Sequence, residues 1–300
     1  MTLPRPVIPG TTSLVTRRCI QRQFLLRPSP FVNQVLLYCM GLAQQRSGVA
    51  IHAVCAMSSH LHLTVTDTEG GLPEFEHHLN LLVAKTLNAS RDRWGAMWEP
   101  ESYSAVGIPI PDDVIGKCGY TLANPVSAGL VREGHQWPGV RLGPESWGQE
   151  IRARRPLYFF NDLGGETPDE VVLRLTRPAG FEHLDDEALR ELLEQEVLRQ
   201  EEEARMKIAR ERRTFLGRRA VLDQSIYDNA QSWERRRKLK PRIACRDQWK
   251  RMEAIQRLQE FVTEHRKAWE AFRAGIRNVV FPYGTYAMRI YMGAVCRAPP

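Results

Sequence analysis

Hydrophobic positions in the first part of the chain switch between a period of two and a period near four. Residues 13–26 read as a first strand, closed off by Pro28 and Pro30. Val35, Leu36, Cys39, Met40 and Leu42 recur at helical spacing and predict a helix over 31–45, ended at Ser47-Gly48. Ile51, Ala53 and Cys55 alternate with His52 and Val54, which predicts a second strand over 49–57. Ser58-Ser59 can turn the chain into a third strand over 60–66, making an antiparallel hairpin. Phe75, Leu79, Leu82 and Val83 predict a second helix over 72–91, and a short strand follows over 103–107. Asp112-Asp113 suits a helix start, because carboxylates favour the positive end of the helix dipole. Pro125 is expected to end that helix at about Asn124.

The predicted order is β-α-β-β-α-β-α. Its first six elements match the ferredoxin-like split β-α-β pattern, an α+β arrangement of antiparallel strands with helices on one face. Residues 132–168, rich in Gly, Pro and Trp, read as a linker or an extended coat. From about 167 the chain is expected to be helical. A long charged helix is predicted over 183–213, acidic early and basic late, with further helices near 216–230 and 245–274 around Gly217. Residues 279–286 form an apolar closing segment. The expected organisation is an α+β unit over 1–150 and a mainly helical unit over 151–300.

Length and composition narrow the class. The chain has 300 residues, of which 43% are apolar, enough for a real core. No apolar run is long enough to suggest a membrane span, and the first residues do not read as a secretory signal. Six scattered cysteines without a close pair argue against a thiolate zinc site and a disulfide framework. A reducing, bacterial-type cytoplasm is the expected compartment. Net charge is +7, unevenly placed. Residues 1–150 carry 12 basic and 12 acidic side chains, whereas 205–257 carry 17 basic and 6 acidic. A neutral first half and a strongly basic later segment suggest a catalytic unit followed by a polyanion-binding unit.

The candidate chemistry sits at two places. In a strand, His60 and His62 share one face while Leu61 points the other way, so one strand offers two imidazoles to one cation. Tyr120 and Asn124 lie four apart on a predicted helix and share a face. Each pair alone has an ordinary structural explanation. Together they supply what phosphodiester cleavage by tyrosine needs: two imidazoles and an amide oxygen for a divalent ion, and a phenol as nucleophile. A phenol with a pKa near 10 is weakly nucleophilic at neutral pH and needs that help. Two His and an Asn suit Mg2+ or Mn2+ better than catalytic zinc.

These residues resemble a known family. His60-Leu61-His62 resembles the histidine-hydrophobe-histidine (HUH) motif. The run 120–131, Tyr-Thr-Leu-Ala-Asn-Pro-Val-Ser-Ala-Gly-Leu-Val, resembles the single-tyrosine signature of bacterial transposases. Thr16-Arg17-Arg18, Met57, Asn88 and Trp98 add to the likeness, which spans residues 10–140. The chain looks most like the REP-associated tyrosine transposases. The resemblance implies an HUH domain over 1–150 in which His60, His62 and Asn124 bind the metal and Tyr120 attacks. It also implies single-stranded DNA cleavage and rejoining through a 5′-phosphotyrosine, on hairpin-flanked substrate, by a monomer or homodimer at the nucleoid. Ser58-Ser59 stands where the family usually has Pro-Asn.

The basic extension reads as an accessory DNA-binding unit in which Arg235, Arg236, Arg237 and Lys238 would track phosphates. Arg17, Arg18 and Arg22 on the first strand are candidates for backbone contact. Weaker candidates are His52 beside the HUH strand, the pair His77-His78, Trp98 and Tyr103 as stacking rings, and Glu99 as a base. Two rival readings remain at this stage: a domesticated hairpin-binding protein without catalysis, and a metal-dependent phosphodiesterase that uses activated water.

Overall fold

A computed structural model describes residues 3–100, 103–159, 167–231 and 241–299. Five strands make one antiparallel sheet. They are β1 (Thr11–Arg18), β2 (Ala50–Met57), β3 (His60–Asp67), β4 (Ser104–Gly107) and β5 (Arg141–Leu142), in the order β4-β1-β3-β2-β5. Helix α1 (Pro30–Ser47) joins β1 to β2, α2 (Leu72–Ala89) joins β3 to β4, and α3 (Pro111–Ser127) leads to β5. Strand β3 is central. It pairs with β1 in a register that sets Thr16 opposite His62, and with β2 in one that sets Cys55 opposite His62.

Strand alternation gives the sheet two unlike faces. Leu61, Leu63 and Val65 enter one buried core with Val35, Leu36 and Cys39 of α1 and Phe75, Leu79 and Leu82 of α2. His60, His62, Thr64 and Thr66 point to the other face, where α3 lies across β2 and β3. Helix α1 starts where the Ser29 hydroxyl accepts from the Val32 N–H at 3.1 Å, and stops at Gly48, whose φ of 68° suits glycine.

The later chain wraps this layered unit. Strands β6 (Glu150–Arg154) and β7 (Glu170–Arg174) form a hairpin against α1. Gly41 permits that approach: a Cβ there would meet Val171 at 2.9 Å. Helix α4 (Asp186–Arg210) packs along α3 through Leu189, Leu193 and Val197, which join the same core as the sheet. A short α5 (Arg218–Asp223) and a long, largely exposed α6 (Gln248–Arg273) follow. The segment ahead of α6 is pinned to α3, because the Arg246 Nε donates to Asp113 at 2.6 Å. Strands β8 (Val280–Phe281) and β9 (Val295–Cys296) flank α7 (Ala287–Met292). Among the described residues no helix is long and apolar enough to cross a membrane, and all six cysteines are unpaired.

Several expectations need correction. The first strand ends at Arg18, not 26, because Gln21 and Arg22 adopt left-handed backbone (φ 49° and 58°) and a 3₁₀ turn follows. Pro125 does not end α3 but lies inside it. A proline there removes one helix hydrogen bond and crowds the carbonyl four residues back. The bond lost is the one to the Thr121 carbonyl; one residue on, the Leu122 carbonyl accepts from Arg141 Nε at 2.9 Å. The chain beyond 167 is first a strand, β7, because the run Glu-Val-Val-Leu-Arg alternates and is rich in β-branched residues. The coat over 132–168 contributes β5 to the sheet edge, and the helix near 216–230 shrinks to α5.

Candidate active site

His60 and His62 project from β3 onto the α3 face, with their ring centroids 4.6 Å apart. Helix α3 brings Tyr120 over them, its ring centroid 5.7 Å from that of His62. Docking between helix and strand is fixed two residues beyond His62 and one beyond Tyr120, where the Thr64 and Thr121 hydroxyls lie 3.1 Å apart in the core. That contact sets the rotation of α3, and rotation is what aims Tyr120 at His62.

Both imidazoles are oriented through Nδ1. The Thr16 hydroxyl lies 2.9 Å from His62 Nδ1, and the Ser59 hydroxyl 3.0 Å from His60 Nδ1. With Nδ1–H donating to the Thr16 oxygen, His62 Nε2 carries a lone pair for a cation. His62 is only 4% exposed, and burial holds its pKa well below the ordinary 6.5, with His60 and Arg18 adding repulsion. It is therefore neutral and ligand-competent at physiological pH. Tyr120 is 41% exposed, so the phenol reaches solvent, where a phosphodiester can approach. Lys117, one turn earlier on α3, holds its Nζ 5.8 Å from the centre of the Tyr120 ring.

Asn124 follows Tyr120 by one turn. It is buried at 8% exposure, and its side-chain amide has no hydrogen-bond partner among the described residues. A helix-capping role would have occupied that amide. No group of three or more His, Cys, Asp or Glu converges among the described residues. The His60 and His62 imidazoles are thus without a thiolate or carboxylate cluster around them, which suits an oxygen-seeking divalent ion completing its shell with oxygen ligands, and not a closed zinc site.

The remaining candidates scatter. Arg18 sits opposite His60 in the β1–β3 register and lies near enough to His62 to repel its protonated form. Arg22 lines a cleft that also opens onto His60. Arg17 points to the opposite face, its guanidinium 5.6 Å from the centre of the Trp98 ring and close to buried Glu76. Arg235, Arg236, Arg237 and Lys238 lie outside the described residues. His52 spends both nitrogens elsewhere, on the Thr176 carbonyl (2.8 Å) and the Thr66 hydroxyl (2.7 Å), and burial lowers its pKa to about 4. His77 is exposed, while His78 is buried with its Nε2 3.6 Å from Glu74. Trp98 is a core residue donating to the Asn80 carbonyl at 2.8 Å. Tyr103 stacks with Arg5, and the Glu99 carboxylate accepts from the Gln21 N–H at 2.8 Å.

Sequence reasoning gave no separate role to Thr16, Ser59 or Lys117. Thr16 is legible only through strand register, Ser59 only through the turn it ends. Lys117 was visible in principle, at i−3 from Tyr120.

No protein-family model and no curated protein matches the chain. Two solved structures are similar to part of it. One is a REP-associated tyrosine transposase bound to a REP hairpin: 20% identity, 46% of this chain and 81% of that one, TM-score 0.37. The other is a candidate transposase from Deinococcus radiodurans R1: 18% identity, 35% of this chain and 85% of that one, TM-score 0.28.

Proposed function

We propose that this protein is a transposase-like nuclease that cleaves and rejoins single-stranded DNA through a covalent tyrosine intermediate. The observation that carries the reading is the meeting of Tyr120 with the oriented His60–His62 pair. In this reading His60, His62 and Asn124 hold Mg2+ or Mn2+. The bound ion supplies Lewis-acid polarisation of the scissile phosphate and neutralises developing charge. Thr16 holds the His62 imidazole in the tautomer that presents Nε2. Arg18, beside the pair, adds positive charge toward the phosphate.

The Tyr120 oxygen then attacks phosphorus and its proton passes to solvent. The new bond joins Tyr120 to the 5′ side, while the bond to the 3′ oxygen breaks and leaves a 3′-hydroxyl. Rejoining is the reverse, with a 3′-hydroxyl displacing the phenol. Because Tyr120 meets His62 of its own chain, attack within one subunit is favoured, and a monomer is chemically complete.

The strand order β4-β1-β3-β2 with crossovers α1 and α2 supports a ferredoxin-like HUH unit over roughly 1–150. The basic segment over 151–300 is the accessory surface for hairpin DNA at the nucleoid. The test is incubation of the protein with labelled single-stranded hairpin DNA and Mn2+, read on a denaturing gel. Wild type is expected to give a covalent adduct and a shortened strand, and Tyr120→Phe neither. Cleavage that survives Tyr120→Phe would replace this reading with a water-using phosphodiesterase.

A further inference from the structure

The segment after α4 returns to the active-site end of the sheet. It is fastened there by backbone: the Phe24 N–H donates to the Asp228 carbonyl at 2.9 Å, and the Leu216 and Gly217 N–H groups donate to the Gly129 and Leu130 carbonyls at 2.9 Å each. Arg27 Nη1 adds a bond to the Gln224 carbonyl at 2.6 Å. The loop over 225–228 is closed on itself, since Asp228 accepts from the Ser225 N–H at 3.1 Å and the Ser225 hydroxyl accepts from the Tyr227 N–H at 3.2 Å. This is a built ledge, and Tyr227 stands on it with its side chain exposed at 60%.

Two clefts meet at that ring. One, of about 670 Å³, contains His60, Arg18, Arg22 and Arg213. The other, of about 550 Å³, contains Arg27, Arg91 and Tyr158. Tyr227 lines both. Of the carboxylates near these clefts, Asp228 is turned back to its own loop and Glu211 pairs with Arg213 at 3.0 Å. The two clefts that share Tyr227 are therefore lined by arginines and by two exposed rings, Tyr227 and Tyr158. Positive groups spaced between exposed aromatic faces suit one chemistry, an unpaired nucleic-acid strand whose phosphates follow the charges and whose bases stack on the rings.

We infer that Tyr227 is a stacking platform that carries single-stranded DNA from the His60 cleft into the Arg27–Arg91 cleft, a subsite that the later chain completes against residues of the first 150. The inference rests on the nuclease reading for its substrate, and its test is independent of cleavage. Fluorescence anisotropy of a labelled, unstructured 12-nucleotide DNA is measured with the full-length protein in EDTA, so that no chemistry occurs. Wild type is expected to bind. Tyr227→Ala should weaken binding about tenfold or more, while Tyr227→Phe, which keeps the ring, should stay within about twofold.

Unchanged binding by Tyr227→Ala would overturn the inference. So would equal losses in Tyr227→Phe and Tyr227→Ala, or no binding by wild type. If Tyr227 governs binding but no adduct forms on Tyr120 with Mn2+, the platform stands and the nuclease reading falls. If the adduct forms and Tyr227 has no effect, the reverse holds.

Discussion

Thr16 shows how much of this site depends on residues that do no chemistry. Its hydroxyl lies against Nδ1 of the buried His62. Replacing it by valine keeps the shape and removes the oxygen that lies 2.9 Å from Nδ1. Thr16→Val is therefore expected to weaken Mn2+ binding by about 10- to 100-fold while leaving the fold intact, measured by titrating free Mn2+ with the protein. An unchanged affinity would mean that Nδ1 orientation does not matter here. At this scale the sequence was informative about His60, His62 and Tyr120, which strand alternation and helix spacing bring together. It was silent on Thr16 and Ser59, because a hydroxyl acquires meaning only from what register places beside it. Arg17 and Arg18 make the same point: adjacent in sequence, they fall on opposite faces of one strand, and only Arg18 lies with the histidines.

Elements were easier to read than their ends. The strands β2 and β3 and the helices α1 and α2 follow from the apolar pattern, although both strands are buried on two faces and not one. The misreadings lie where tertiary contacts override local preference. The first strand stops at a left-handed turn that no pattern announces, and α3 runs through Pro125, with Arg141, distant in sequence, donating to the Leu122 carbonyl on the same turn. Helix α4 was legible as a charged helix, but its partner was not. It buries Leu193 completely against the layer that carries Tyr120. Leu193→Ala should then cost about 2–5 kcal/mol of folding stability in a urea titration. A cost under about 1 kcal/mol would show that α4 is not part of the same cooperative unit as α3.

On the scale of the whole molecule, one buried acid makes stability depend on pH. Glu76 of α2 is fully enclosed behind the sheet, and burial raises its pKa to about 7, against the opposing pull of Asn80, Arg17 and Arg5. A carboxyl whose folded pKa lies above its unfolded value holds more protons when folded. Its contribution is present below about pH 4.5 and is lost as pH rises through about 7. Wild type should lose stability across that window, and Glu76→Gln should lose less, as judged by urea midpoints at pH 5 and pH 8. Parallel slopes would contradict the assignment. The division of charge along the chain was plain from composition, but its consequence for the site was not: Arg213 and Tyr227 reach the cleft at His60 only because backbone bonds fasten the later chain beside β1.

The central claim is that Tyr120 is the nucleophile at a metal site made by His60 and His62. Trapping the protein on a hairpin DNA with Mn2+, digesting it and locating the nucleotide-bearing peptide by mass spectrometry tests this most directly. The account predicts a phosphodiester-linked nucleotide on Tyr120 in wild type and none in His62→Ala. A nucleotide on any other residue, or strand cleavage with no modified peptide, would contradict it.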